Sequence, residues 1–291
     1  MDLQYARETF ERYLEQYDQS DDKIRLKIVH TYGVVDASRQ ITERMGLSPE
    51  DIDLAQLIGL LHDIGRFEQL RIFDSFEPDT MNHARFGVRI LFEEGLIRRF
   101  VREDKWDDII RTAIIKHSDF KLGGIEDSHK LLHARIIRDA DKLDNCRVKL
   151  EDAIETMLQV TAKEVGKSAI SPEVMEQFRR KESIRSLTRK TKMDYWVSYL
   201  AYFFDINYQV TFDIIEENNY IERLIARIPY SNPETAEQML EIKEGLKQYV
   251  SAASCSKHSK KIGGEQAQIL MVESTPGKGS RKSKTFLRKC L

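Results

Sequence analysis

The chain has 291 residues, 41% of them hydrophobic, with 46 Lys/Arg against 48 Asp/Glu and a formal net charge of −2. That length can bury one or two substantial cores, and 14 Gly and 6 Pro are too few for a collagen-like or disordered protein. No 18-residue apolar run occurs and acidic charge begins at Asp2, so neither a transmembrane span nor a secretory signal is readable; Cys146, Cys255 and Cys290 form no CxxC pair and read as reduced thiols of a cytoplasmic protein.

The pattern is helical almost throughout. Leu3, Ala6, Phe10, Tyr13, Leu14 and Tyr17 make one stripe, and Asp21 or Asp22 can cap the next helix. That helix, KIRLKIVHTYGVVDASRQITERM, carries His30 on a face with Leu26, Val34, Ala37 and Ile41. Ser48-Pro49-Glu50-Asp51 opens another, LAQLIGLLHDIG, which contains His62-Asp63 and is expected to end at Gly65. His83 shares a stripe with Gly87, Ile90 and Leu91, and His117 ends IIRTAIIKH. The glycine pair of FKLGGIEDS marks a loop over the site, followed by RIIRDADKLD with Asp141. Beyond residue 150, LEDAIETMLQVTAKEV is amphipathic, Ser171-Pro172-Glu173 restarts a helix, and an aromatic-rich stretch from Lys192 to Ile228 reads as the packing spine of the C-terminal half.

Six metal-capable side chains thus fall on apolar-periodic segments: His30, His62, Asp63, His83, His117 and Asp141. Any one alone is ordinarily a hydrogen-bonded core histidine, a cap or an ion-pair partner. Together they raise a solvation problem, because an isolated buried carboxylate costs several kcal/mol or more, and coordination solves it at all six positions. Six ligands are more than one ion needs from a protein, which suggests two. His129 and His133, one turn apart, could form a ligand pair but lack a third ligand nearby in sequence; His258 lies in a polar tail.

The order His, His-Asp, His, His, Asp resembles the HD superfamily of metal-dependent phosphohydrolases. IVHTYGVVDASRQI looks like that family's first-ligand helix, LIGLLHDIGRF like its His-Asp signature and RDADKLDNCRV like its closing Asp motif, with NHARFGVRIL and IIKHSDF between. The resemblance covers roughly residues 23 to 150. It implies an all-α HD-domain bundle around a buried metal centre, extended by C-terminal helices: a single unit over 1–250, with a metal-site core at about 23–150 and a helical extension at 151–250. By position, Asp63 would bridge two divalent ions and orient the hydroxide, with His30, His62 and Asp141 on one and His83 and His117 on the other. Iron or manganese suits such nitrogen-rich ligation better than magnesium. Arg66 stands where the signature often has Lys, Ser118 where cyclic-dinucleotide phosphodiesterases often have a second His, and their GYP string is absent.

The implied activity is two-metal hydrolysis of a phosphate ester or anhydride of a nucleotide or other small phosphorylated metabolite, with Arg66 and Lys142 as phosphate contacts. Two rivals stand beside it: a diiron oxygenase of the same superfamily, which has the same ligand order, and a non-catalytic regulator that senses a nucleotide or metal. The basic run RRKESIRSLTRKTK reads as a solvated face, with a phosphate clamp as its functional alternative. Residues 251–291 form a basic, flexible tail; from 254 onward they hold nine Lys/Arg and two Asp/Glu. The acidic body argues against dedicated nucleic-acid binding, no membrane association is expected, and a homodimer is compatible with the sequence.

Overall fold

Helix starts in the computed structural model, which describes residues 1–77 and 79–255, follow the capping residues. The Asp2 carboxylate accepts the Tyr5 N–H and opens α1 (Leu3–Leu14), and Asp21 accepts from Lys23 and Ile24 to open α2 (Asp22–Met45). Ser48 caps α3 (Pro49–Leu61) with proline at its first position, and Asp127 caps α7 (Ser128–Glu151). Between them lie α4 (Ile64–Phe73), α5 (His83–Val88), which runs on as one π-helical turn, and α6 (Asp107–Lys116). No β-strand occurs among the described residues, so the fold is an all-α bundle.

The sequence expectation that the helix carrying His62-Asp63 continues to Gly65 is corrected. Helix α3 stops at Leu61, and Asp63, at φ −106° and ψ 18°, turns the chain before α4 begins. Gly65 sits inside α4 for another reason: a Cβ there would lie 2.3 Å from the His83 carbonyl oxygen and 2.5 Å from the Gly87 nitrogen. It is a close-approach glycine that lets α4 and α5 meet backbone to backbone.

Helix α2 packs along α3 and α7, while α6 lies on α7, and α5 on α4 and α6. Five segments therefore deliver their ligand residues to one interior. The C-terminal half adds α8 (Ile154–Leu158), α9 (Ala162–Lys167), α10 (Pro172–Arg179), α11 (Lys192–Leu200), α12 (Gln209–Glu217), α13 (Tyr220–Ala226) and α14 (Pro233–Cys255). The aromatic-rich stretch is broken by a 3-10 turn at Ala201–Asp205 and by Asn219 at φ +52°. Its Trp196, Phe203 and Phe212 are buried, and one apolar cluster joins them to Leu57, Ile114 and Ala140 of the first half and to Leu246 and Val250 of α14.

Residues 251–255, expected to belong to the tail, instead complete the last turn of α14; 256–291 lie outside the described residues. Among the described residues no helix is long and apolar enough to cross a membrane. In the basic run, Arg179 pairs with Glu241, Arg180 with Glu176 and Lys190 with Glu173 on the surface. Arg189 is more buried: its side chain is 13% exposed, lies 4.3 Å from the centroid of the Tyr195 ring and has NH2 3.9 Å from Glu77 Oε2.

Candidate metal centre

The structure brings all six sequence-identified ligand residues together in two adjacent groups, His30, His62 and Asp141 in one, and Asp63, His83 and His117 in the other. Within each group one donor atom per residue lies within 4.8 Å of the others. Asp63 stands between the groups, with Oδ2 3.5 Å from His62 Nε2 and Oδ1 3.3 and 3.7 Å from His83 and His117 Nε2.

The local structure fixes which imidazole nitrogen is free. His62 ends α3 and His117 ends α6, where unpaired carbonyls are at hand. Accordingly His62 Nδ1 donates to Gly59 O at 2.7 Å and His117 Nδ1 to Ile114 O at 2.6 Å, which leaves each Nε2 as a lone pair facing the interior. His30 Nδ1 contacts Asp144 Oδ2 at 2.7 Å, and its Nε2 faces Asp141 Oδ1 at 3.0 Å. Asp144 was not among the residues singled out from sequence. It is buried, held on its other oxygen by Arg147 Nε at 2.7 Å, and orients His30 as carboxylates orient metal-binding imidazoles. The available signal was its place one turn after Asp141 on the same apolar-periodic segment.

Three further residues shape the centre. Lys27, one turn before His30, puts Nζ 2.5 Å from Asp63 Oδ2. Arg138, buried in α7, donates to the carbonyls of Lys116, His117 and Asp119 at 3.0, 3.0 and 2.7 Å; its charge sits at the negative end of α6 and pins the helix terminus that carries His117. Lys149 is buried, bonded to Asn145 Oδ1 at 3.1 Å, and Asn145 in turn donates to Asp141 Oδ1 at 2.9 Å.

Of the two residues expected to contact phosphate, Lys142 has its ammonium taken up by Asp205 Oδ2 at 2.8 Å and the Arg138 carbonyl at 3.3 Å. Arg66 lies at the centre itself. Its NH1 donates to Gln69 and the Phe76 carbonyl and its NH2 to His83 Nε2 at 3.1 Å, with Asp63 Oδ1 3.9 Å from Nε.

The electrostatics favour the ligand forms at His62, His83, Asp63 and Asp141, whereas at His30 burial and the Lys27 charge are outweighed by the contacts with Asp141 and Asp144, which raise the imidazole. Burial pushes His62 down to about 4, and burial followed by the Arg66 charge holds His83 far below the ordinary imidazole range, so both are neutral at neutral pH. Burial acts to raise Asp63, but Lys27, His62, His117 and His83 outweigh it and keep the carboxyl well below its usual range. Asp141 is lowered likewise: His30 overcomes the burial penalty by hydrogen bond and charge.

The donor set fits metal ions on its own geometry. His83 and His117 Nε2 lie 3.1 Å apart on the inner side of the second group, close enough for one cation to take both. His62 Nε2 and Asp63 Oδ1 are buried without a hydrogen-bond partner, although such groups cost about 1–3 kcal/mol each when unsatisfied. Four imidazoles and two carboxylates suit a borderline transition ion.

Residues 28–146 match the model of the HD domain family. Across this stretch the chain carries an HD domain. Its family consists generally of hydrolases that bind divalent metals, and the His/Asp groups at this centre can hold metal. No curated protein and no solved structure gave a significant match.

Proposed function

We propose that the chain is a phosphohydrolase that cleaves a phosphate ester or anhydride of a nucleotide or other small phosphorylated metabolite at a two-ion centre. The unpartnered His62 Nε2 and Asp63 Oδ1, one in each group, carry this reading, because each group then holds a buried donor atom that a cation would satisfy. Asp63, with one oxygen toward each group, is the bridge. Iron or manganese, in either combination, is the metal that nitrogen-rich ligation of this kind selects.

When bound, the ions supply Lewis-acid polarisation of the phosphate and a water acidified towards neutral pKa. The protein's part is to bind and orient. Lys27, Arg66 and Lys149 surround the ligand carboxylates with positive charge, suited to nonbridging phosphate oxygens. A donor hydrogen bond and a metal ion use the same His83 lone pair, so ligation frees the Arg66 NH2 to donate to substrate. Tyr199 and Tyr202 wall the same region: Lys149 Nζ lies 4.2 Å from the Tyr199 ring, and the Tyr202 hydroxyl feels the charges of Asp141, Arg189 and Arg66. Arg189, whose charge reaches the Tyr202 hydroxyl, is the residue of the basic run that this reading assigns as a clamp.

The test is metal analysis of anaerobically purified protein followed by a hydrolysis screen over nucleotides, dinucleoside polyphosphates and cyclic dinucleotides with Mn or Fe added. Two ions per chain and phosphate-bond cleavage under anaerobic conditions are expected. Oxygen uptake without anaerobic hydrolysis would replace this reading with the diiron oxygenase, and tight nucleotide binding without turnover would replace it with a sensor.

A further inference from the structure

A third convergence of ligand atoms lies away from the centre, where α3 and α7 begin. Asp51, in the first turn of α3, receives His129 Nε2 at 2.6 Å and His133 Nε2 at 3.2 Å on the same oxygen, Oδ1. His129 and His133 lack a third partner nearby in sequence because Asp51 is 78 residues from His129; the packing of α3 on α7 supplies it. We propose that Asp51, His129 and His133 form a separate metal site that takes a borderline divalent ion of the zinc class.

The geometry is that of a two-histidine, one-carboxylate face. Histidines four residues apart on a helix project to one side, the arrangement that zinc-binding helices use. Tetrahedral ligation at about 2.0–2.1 Å places neighbouring ligand atoms roughly 3.3 Å apart. The His133–Asp51 separation of 3.2 Å already satisfies this. The His129–Asp51 separation must open by about 0.7 Å. His129 is free to allow it, since its side chain is 36% exposed and packs edge-on against Trp106 on one side.

The carboxylate is also held for the task. Ser48 Oγ donates to Asp51 Oδ2 at 2.7 Å, which leaves Oδ1 to the two imidazoles. Lys105, in the adjoining loop, pairs with Glu50 and not with Asp51. His133 is fully buried on its face of α7, with Nε2 toward Asp51 Oδ1. The half-open His129 side gives an ion entry and leaves a coordination position for water.

Such an ion would clip together the two helices that both lead to the centre. Along α3, His62 is about 16 Å from Asp51, and along α7 Asp141 is about 12 Å from His133, at 1.5 Å per residue. The clip would brace both from their far ends.

Diethyl pyrocarbonate labelling of histidines, read peptide by peptide by mass spectrometry with and without zinc, tests the proposal in the wild-type chain. Zinc should lower labelling of His129 at least tenfold, and the Asp51→Asn variant should lose that protection. Unprotected His129 at zinc concentrations that load the central site, read as bound zinc lost in the Asp63→Ala variant, overturns this site while leaving the central one standing. Zinc content after dialysis is the second readout: His129→Ala should hold one equivalent less than wild type, and equal content in the two proteins also overturns the proposal.

Discussion

A histidine that binds metal through one nitrogen must place a proton on the other, and here that second nitrogen is where the fold acts on three of the four candidate histidines. Gly59 O and Ile114 O fix His62 and His117, and Asp144 fixes His30. Replacing Asp144 by Asn keeps the shape and removes the charge that raises the basicity of His30. Metal affinity in Asp144→Asn should fall about 10- to 100-fold, measured by competition with a chelator, with the fold intact. Asp63 is different in kind, since it faces both groups. Asp63→Ala should lose activity and most bound metal, whereas His83→Ala should retain one ion; equal metal in wild type and Asp63→Ala would remove the bridge assignment. Arg66 separates positioning from chemistry. Arg66→Ala should keep its metals yet lower kcat and kcat/KM together by about 10²–10³, as deletion of one preorganised donor does, and Arg66→Lys should recover only part because an ammonium lacks the guanidinium fork.

At the scale of elements, the approach of helices to one another decides whether those residues can meet. A Cβ on Gly33 would lie 1.9 Å from Asp144 Oδ1, so this α2 glycine makes room for the carboxylate that orients His30. Gly33→Ala should therefore displace Asp144 and weaken metal binding as Asp144→Asn does, with an added loss of about 1–3 kcal/mol in stability from overpacking, seen as a lower midpoint in urea. An unchanged metal affinity in Gly33→Ala would show that Asp144 does not act through this contact. The apolar periodicity and the capping residues made the helices of the first half legible in sequence, and the six candidate ligand residues that they carry come together in the structure. Helix crossings left no such trace. Asp144, Arg138 and Lys27 matter because of what lies opposite them on another helix, and Gly65 read as a helix stop because a packing glycine and a terminal one look alike until the neighbouring backbone is placed. Asp51 was read only as a first-turn acid for the same reason.

Over the whole molecule, the buried imidazoles set how the metal-free chain responds to acid. His62 and His133 are each brought down to about 4, against about 6.5 for an unfolded histidine. Between those values the unfolded chain binds the proton and the native chain does not, so stability is fully present above about pH 6.5 and is lost as pH falls toward 4. His83 is lowered further and acts in the same direction. Asp139 opposes them: burial, only partly offset by hydrogen bonds from Asn207, Tyr208 and Thr211, raises it to about 6, and in that window the native state holds its proton more tightly than the unfolded one. Three imidazoles against one carboxyl leave a net loss in acid. Each fully shifted imidazole is worth on the order of 3 kcal/mol, comparable with a large part of the stability of a typical domain. Urea midpoints of chelator-treated protein should therefore fall steeply between pH 6.5 and 4. The His133→Gln variant, less stable at pH 7, should lose less over the same interval because it has one fewer proton to refuse. A midpoint that stays flat across this range in the wild-type chain would mean that these imidazoles are not held neutral by burial, and the account of the centre as a set of preorganised neutral ligands would fall with it.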